Sequence, residues 1–363
     1  MANNNDKKVL NVPALRFPEF TGEWENITIR EACSEFQSGK NIKAEMINDQ
    51  GLYPVYGGNG LRGFTGSYNH DGDYILIGRQ GALCGNVRKV TGKTYVTEHA
   101  IAVCASKEHE TTFLQHLFQK MRLGQYSDQS AQPGLAVNKL LRLNINVPSK
   151  IEQGKIAKIL SLIDERITTQ NKIIEDLNKL KSAISECIFN SIKGDVVMLS
   201  EICDIVKGKQ INGEYLSESG EYYVMNGGTE PSGYYSEYNV KANTISISEG
   251  GNSCGYVQFN NFPFWSGGHC YSLQNIADIV DNLYLYHYLK SKEEAIMKLR
   301  IGSGLPNIQK KDLAMFKTIV PPFEQQITIS TFLSSLERKA EIEERILNVM
   351  QKQKLYLLQQ MFI

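Results

Sequence analysis

Residues 148–167 read PSKIEQGKIAKILSLIDERI, and residues 321–334 read PPFEQQITISTFLS. Each places a proline and a Glu-Gln or Gln-Gln pair ahead of an apolar periodic run, so each opens a helix, where proline suits the first turn. From the first stretch the pattern continues through Ile156, Leu160, Ile163, Ile167, Gln170, Ile174, Leu177, Lys181, Ile184 and Ile188, at alternating steps of four and three. That is the heptad seam of a coiled coil. A shift of 173 residues turns it into Ile329, Leu333, Leu336, Ala340, Glu343, Leu347, Met350, Lys354, Leu357 and Met361, so even the polar interruptions coincide. About 33 helical residues at 1.5 Å rise predict a rod of roughly 50 Å.

The duplication reaches beyond the helices. Residues 75–87 (ILIGRQGALCGNV) return as 245–257 (ISISEGGNSCGYV), with Gly81, Cys84, Gly85 and Val87 falling on Gly251, Cys254, Gly255 and Val257. Residues 31–40 (EACSEFQSGK) return as 201–209 (EICDIVKGK), one residue shorter. A period this long excludes a solenoid, whose repeats span a few tens of residues. Two related halves with pseudo-two-fold symmetry are expected. Two seams on one chain most simply bury each other as antiparallel helices, which would set Gln170 and Glu343 near one another in a central polar layer. Ahead of each helix lies a Gly- and Tyr-rich unit, with strands expected at 74–77, 95–103, 244–247 and 271–273 and helices at 112–122 and 283–299. Turns rich in glycine on such a scaffold are where recognition usually sits.

The 363 residues carry 39 Lys and Arg against 39 Asp and Glu, which argues against a chain that grips phosphate backbones by charge alone. The balance is 17 against 14 in residues 1–150 and 10 against 14 in residues 194–320. No apolar run approaches the roughly 20 residues of a membrane helix, and a soluble cytoplasmic protein is expected. Seven cysteines without a CxxC pair read as reduced thiols. Cys33, Cys84 and His99 recur as Cys203, Cys254 and His269, but zinc sites announce themselves by close-spaced ligand pairs, and small buried cysteines fit better. There is no GxxxxGK[ST] loop and no HExxH. VPPF at 320–323 resembles the (N/D)PP(Y/F) motif of amino-methyltransferases, yet Val320 offers no acceptor for an amino group. It reads as a strand end and a rigid lead-in to a helix. His99 and His269 lack a recognisable nucleophile partner and read as structural.

With VPALRFPEF at 12–20, EWE at 23–25 and the duplicated proline-glutamine-helix signature, the chain resembles the specificity subunits of type I restriction-modification enzymes over nearly its whole length. The resemblance implies an α+β fold: two pseudo-two-fold-related mixed α/β target recognition domains joined by two long antiparallel coiled-coil helices. The domains would occupy residues 1–150 (with the N-terminal segment) and 194–320, and the spacer helices 151–193 and 321–363. It also implies a non-catalytic subunit without a cofactor or metal of its own. Each domain would read one half of a bipartite double-stranded DNA site. Two methylation subunits would dock partly on the helices and bring S-adenosylmethionine, and restriction subunits would bring ATP and magnesium. A tandem protein- or glycan-binding scaffold on a coiled coil is the other reading.

Base-reading candidates are polar side chains in glycine-rich loops and at strand ends. They are Lys40, Asn59, Arg62, Tyr68, Arg79, Gln80 and Gln132 in the first unit, and Lys209, Asn226, Thr229, Tyr234, Glu249, Asn252 and Ser303 in the second. Arg and Lys pair with guanine, Asn and Gln with adenine, and Glu accepts from cytosine. Arg79 and Glu249 hold equivalent positions with opposite charge, which is expected to make the two units prefer different half-sites. Glu337 and Arg338 stand where the first helix has Asp164 and Glu165, so unequal partner surfaces are expected on the two helices.

Overall fold

A computed structural model describes residues 11–128, 134–302, 304 and 306–363. By its internal contacts the chain divides into two units, residues through Asn171 together with Ile346–Ile363, and Lys172–Arg345. Each unit combines a mixed α/β domain with part of the central helix Lys150–Ser191 and part of the C-terminal helix Phe323–Gln360.

The first domain has a four-stranded antiparallel sheet in the order Cys33–Ser38, Ala100–Ala105, Asp73–Gly78, Val87–Thr91. The second repeats it as Asp204–Lys207, Cys270–Gln274, Thr244–Ser248, Val257–Asn260. Beside each lies a three-stranded sheet: Gly60–Thr65, Tyr53–Gly57, Tyr95–Val96, and its counterpart Tyr234–Tyr235, Tyr222–Met225, Trp265–Ser266. A two-stranded ribbon completes each set, Glu25–Thr28 with Asn144–Val147 and Asp195–Met198 with Lys317–Val320. The strand Asp73–Gly78 is buried on both faces, which explains its unbroken apolar run. Ile75 and Ile77 face the main core with Phe113, Leu114 and Phe118, whereas Leu76 joins Val90, Val96, Ala100 and Ala102 in a smaller one. In the second domain that other face carries serines: Ser246 accepts from Asn260 Nδ2 at 2.9 Å, and Ser248 Oγ donates to the Gly227 carbonyl at 2.7 Å.

Three expectations need correction. Residues 95–103 form two strands of different sheets, Tyr95–Val96 and Ala100–Ala105, because the chain crosses over at 97–99, where Thr97 N–H binds the Tyr56 carbonyl. A continuous apolar run carries no mark of a change of sheet. The helix expected at 283–299 is Asn282–Ser291 followed by Glu293–Met297, interrupted at Lys292 (φ −103°, ψ 15°), whose N–H is drawn to the Tyr288 and Leu289 carbonyls. The long helices also outrun the 33-residue expectation. At 42 and 38 residues they measure about 63 and 57 Å, since nothing breaks the helical backbone between their opening prolines and the turns that follow.

Every seam residue named above is buried or half-buried, while most residues between them are exposed. Gln170 is buried, and Glu343 is largely so, with Lys339 Nζ 3.2 Å away. In the first unit Ile156, Ala157 and Leu160 share a core with Leu358, Met361 and Phe362. Further along, Lys354 Nζ reaches Asp164 at 2.6 Å, so the two segments run antiparallel. The second unit repeats this arrangement, with Ile184, Ile188 and Phe189 against Ile329, Leu333 and Leu336, and Lys181 Nζ 3.2 Å from Glu337. The lysines among the polar interruptions, Lys181 and Lys354, therefore make ion pairs across the seam. Asp164 and Glu337 face the facing helix, which removes them from the expected partner surface; Glu165 and Arg338 remain exposed.

The glutamine of each opening motif is a buried bolt. Gln153 donates to the Pro148 carbonyl (2.9 Å) and accepts from Glu110 N–H (3.0 Å), the residue that caps helix Thr111–Met121. Gln326 donates to the Pro321 and Ile279 carbonyls (2.8 and 3.0 Å) and accepts from Asp281 N–H (2.8 Å), the cap of Asn282–Ser291. A buried polar side chain is tolerable only when so paired. VPPF does what its sequence suggests, since the strand Lys317–Val320 ends there and the helix starts at Phe323. In the first unit Arg16 adds a two-pronged contact with the buried Glu152, both at 2.8 Å. Gln325, at the corresponding place, is exposed.

Candidate nucleic-acid interface

The Gly-Lys pairs at 39–40 and 208–209 join the two sheets of each domain. Gly39 N–H binds the Ala100 carbonyl and Lys40 N–H the Val96 carbonyl; Gly208 and Lys209 bind those of Cys270 and Ser266. A Cβ on Gly39 would lie 2.2 Å from the Val96 oxygen, and one on Gly208 2.4 Å from that of Ser266, so only glycine allows the approach. The stitch fixes the direction in which Lys40 and Lys209 leave the surface, and both are exposed.

The loops at 79–85 and 249–255 are pinned alike. Arg79 and Glu249 donate their amides to the carbonyls of His99 and His269, each at 2.9 Å, while their own carbonyls accept from Leu135 and Ile308. Cys84 Sγ (3.3 Å) and Cys254 Sγ (2.9 Å) also donate to those carbonyls, and burial pushes both thiols above their ordinary pKa. The cysteines thus act as loop staples, and no group of His, Cys, Asp and Glu with metal-holding geometry occurs among the described residues. Gly85 (φ +85°) and Gly255 (φ +93°) close the loops in the left-handed region, which L side chains avoid.

The structure draws some candidates together and leaves others apart. In the first domain Arg79 and Gln80 surround His99, with Gln80 Oε1 3.0 Å from its Nδ1. The Gly57–Gly60 turn approaches the same place, since a Cβ on Gly58 would be 2.7 Å from the His99 carbonyl, and it carries the exposed Asn59. Arg62 lays its stem over Gly57. Tyr68 lies elsewhere, beyond the other end of that hairpin, edge-on to Tyr53 and under Lys93. In the second domain Asn226 Oδ1 accepts from His269 N–H at 3.2 Å, beside Glu249. Thr229 and Asn252 are exposed on the adjoining loops. Tyr234 pairs with Tyr223 and Ser217 in the three-stranded sheet, away from His269. Gln132 and Ser303 lie outside the described residues.

Glu249 is nearly buried, at 7% exposure. Its Oε1 accepts from Lys207 Nζ at 2.5 Å and from the Tyr271 hydroxyl at 3.3 Å, and its Oε2 lies 3.6 Å from His269 Nδ1. Burial, then the Glu249 carboxylate, push the Tyr271 phenol up to about 12, so it remains a donor. Sequence reasoning passed over Lys207 and set the two histidines aside as structural. Their side chains are 52%, 47% (His99) and 61% (His269) exposed, at the centre of each loop cluster. The available signal was the shared position of the histidines relative to the Gly-Lys stitches.

The family model described as type I restriction modification DNA specificity domain matches twice, at residues 21–179 and 193–352. The chain belongs to this family. Each matched stretch contains one copy of the sheet set and part of the long helix that follows it. A relative within reach of this specificity-domain family is the type I restriction enzyme EcoprrI specificity subunit of Escherichia coli, 40% identical over 53% of this chain and 46% of the relative. A putative type I specificity subunit of Mycoplasma pneumoniae is 33% identical over 42% of the chain and 41% of its own length. The chain thus spans less than half the length of these curated relatives. A putative type I restriction enzyme specificity subunit of Haemophilus influenzae is 24% identical over 87% of both chains. In fold, the specificity-domain chain matches the crystal structure of a type-I restriction-modification system S subunit from M. genitalium with a TM-score of 0.76 at 21% identity, over 97% of this chain and 99% of that one. Among the described residues no helix is long and apolar enough to cross a membrane.

Proposed function

We propose that this chain is the non-catalytic recognition subunit of a type I restriction-modification complex, in which each domain reads one half of a bipartite DNA site and the helices set the spacer. The observation that carries the reading is a sheet set built twice in the same strand order, with differing side chains at equivalent loop positions. Phosphate contacts position a protein on DNA and base contacts specify sequence; a chain of zero net charge suits the second task. Helices of about 60 Å exceed the ~34–36 Å turn between half-sites of ordinary dimeric readers.

The outer helix faces support docking of methylation subunits, which would bring S-adenosylmethionine, while restriction subunits would bring ATP and magnesium. Ile173 and Ile346 occupy equivalent positions and are exposed to 39% and 38%. Leu162, Leu180, Val349 and Leu355 are exposed on the same two helices. Large apolar side chains left repeatedly in water mark surfaces that another protein covers. The test is co-purification with a methylation subunit, followed by mapping of N6-methyladenine. A two-part methylated sequence with a fixed gap is expected. Binding of the assembled complex to DNA without sequence preference would overturn the reading.

A further inference from the structure

Arg79 and Glu249 occupy one structural position and use it differently. Arg79 is half-exposed, and its side-chain hydrogen bond is to the Glu98 carbonyl at 3.5 Å. Glu249 points inward and holds Lys207 at 2.5 Å. Where the first domain has a serine at the end of the edge strand, Ser38, the second has Lys207. The loop gives up its cation and the strand gains one.

We propose that Glu249 is a positioning residue that masks the charge of Lys207, so that Lys207 serves the second domain as a base-edge hydrogen-bond donor rather than a phosphate clamp. This rests on the reading of the chain as a DNA-recognition subunit. An ammonium has three donors; Glu249 takes one, and a side chain 52% exposed leaves others for a ligand. The pair carries no net charge, so setting it against a duplex releases no counterion, and it contributes direction instead of long-range attraction. Lysine is otherwise a flexible point charge. Here its head is held by a carboxylate that is itself fixed by Tyr271 and by backbone bonds on both sides. Lys209, two residues on, is exposed with no ion pair among the described residues, and can supply the phosphate contact that Lys207 does not.

The test uses the full chain assembled with a methylation subunit, duplexes carrying the mapped site or a scrambled half-site, and a salt series. Glu249→Gln keeps shape and removes the mask. It should steepen the log–log salt dependence by about one unit, tighten binding to the scrambled duplex, and lower the preference for the correct half-site about tenfold. The double variant Lys207→Ala with Glu249→Gln, which removes both charges of the pair, should lower that preference about tenfold with the salt dependence unchanged, and Lys207→Gln with Glu249→Gln, which preserves the packing of the stem, should restore part of it. The half-site affected should be the one whose recognition survives Arg79→Ala. A double variant, Lys207→Ala with Glu249→Gln, that loses about one unit of salt dependence and keeps its preference would make Lys207 a phosphate clamp and overturn the proposal. So would a Glu249→Gln complex unchanged in both respects. A wild-type complex without sequence preference would instead remove the recognition reading, and this proposal with it.

Discussion

Gln326→Leu removes a side chain of nearly the same volume and, with it, three hydrogen bonds, to the Pro321 and Ile279 carbonyls and from Asp281 N–H. Gln326 is 0% exposed, so water does not replace the bond to Pro321. At about 1 kcal/mol net for each bond, the loss is about 3 kcal/mol. For a unit of this size each kcal/mol lowers Tm by about 2–4 °C, giving a fall of about 9 °C in calorimetry or circular dichroism. Gln325→Leu, one residue earlier and exposed, should stay within about 0.5 kcal/mol of the parent. Equal shifts for the two variants, or less than about 2 °C for Gln326→Leu, would refute the bolt. Gln153→Leu makes the same test in the first unit.

His116 is buried beside Asp164, Lys354 and Gln119, and desolvation lowers its pKa to about 4 despite the opposing pull of Asp164. Its unfolded value is near 6.5, so the unfolded chain binds the extra proton and stability falls as pH drops from about 6.5 to about 4, by up to ~3 kcal/mol. Urea midpoints of the parent and of His116→Gln at pH 7 and 4.5 should show a smaller acid loss in the variant. Ile173→Asp and Ile346→Asp should each weaken capture of a methylation subunit at least tenfold in pull-down titrations without lowering Tm by more than about 2 °C; unchanged capture would place docking elsewhere. Inserting four residues into one long helix adds about 6 Å, and methylome mapping should find a gap one or two base pairs longer or no methylation. An unchanged gap with full activity would show that the helices do not set the distance.

The helix seams were legible to the residue, because a seam has one periodicity and a polar residue in it must find a partner; the helix lengths were not. Lys181 and Lys354 could be recognised as interruptions, but Asp164 and Glu337 could not be recognised as their partners. That pairing depends on antiparallel register, which sequence separation hides. The sheet cores were readable at Ile75–Ile77, where the apolar run is continuous, and at Ile245–Ile247, where isoleucine alternates with serine. The crossing at 97–99 was not, since both strands it joins are buried. The loop cluster was visible through its glycines and cysteines, whose backbone geometry leaves a composition signature. What Glu249 does with its carboxylate was invisible, because direction into or out of the surface depends on Tyr271 and Lys207, which are far away along the chain.

Phe362 packs on Trp24 and Phe113, and the equivalent Phe189 packs on Tyr284 and Tyr288. The two aromatic plugs differ in when they arrive. A ribosome delivers Phe189 ahead of the strands it will cover, so the second unit can close as soon as its own helix segment, up to Arg345, has emerged. Trp24 and Phe113, made early, must wait for Phe362. Chains fold domain by domain during synthesis, and long-range closures are slow. The unit translated first is therefore finished last, and a nascent chain interrupted before Phe362 carries one complete domain and one open apolar core, a form that proteases can remove.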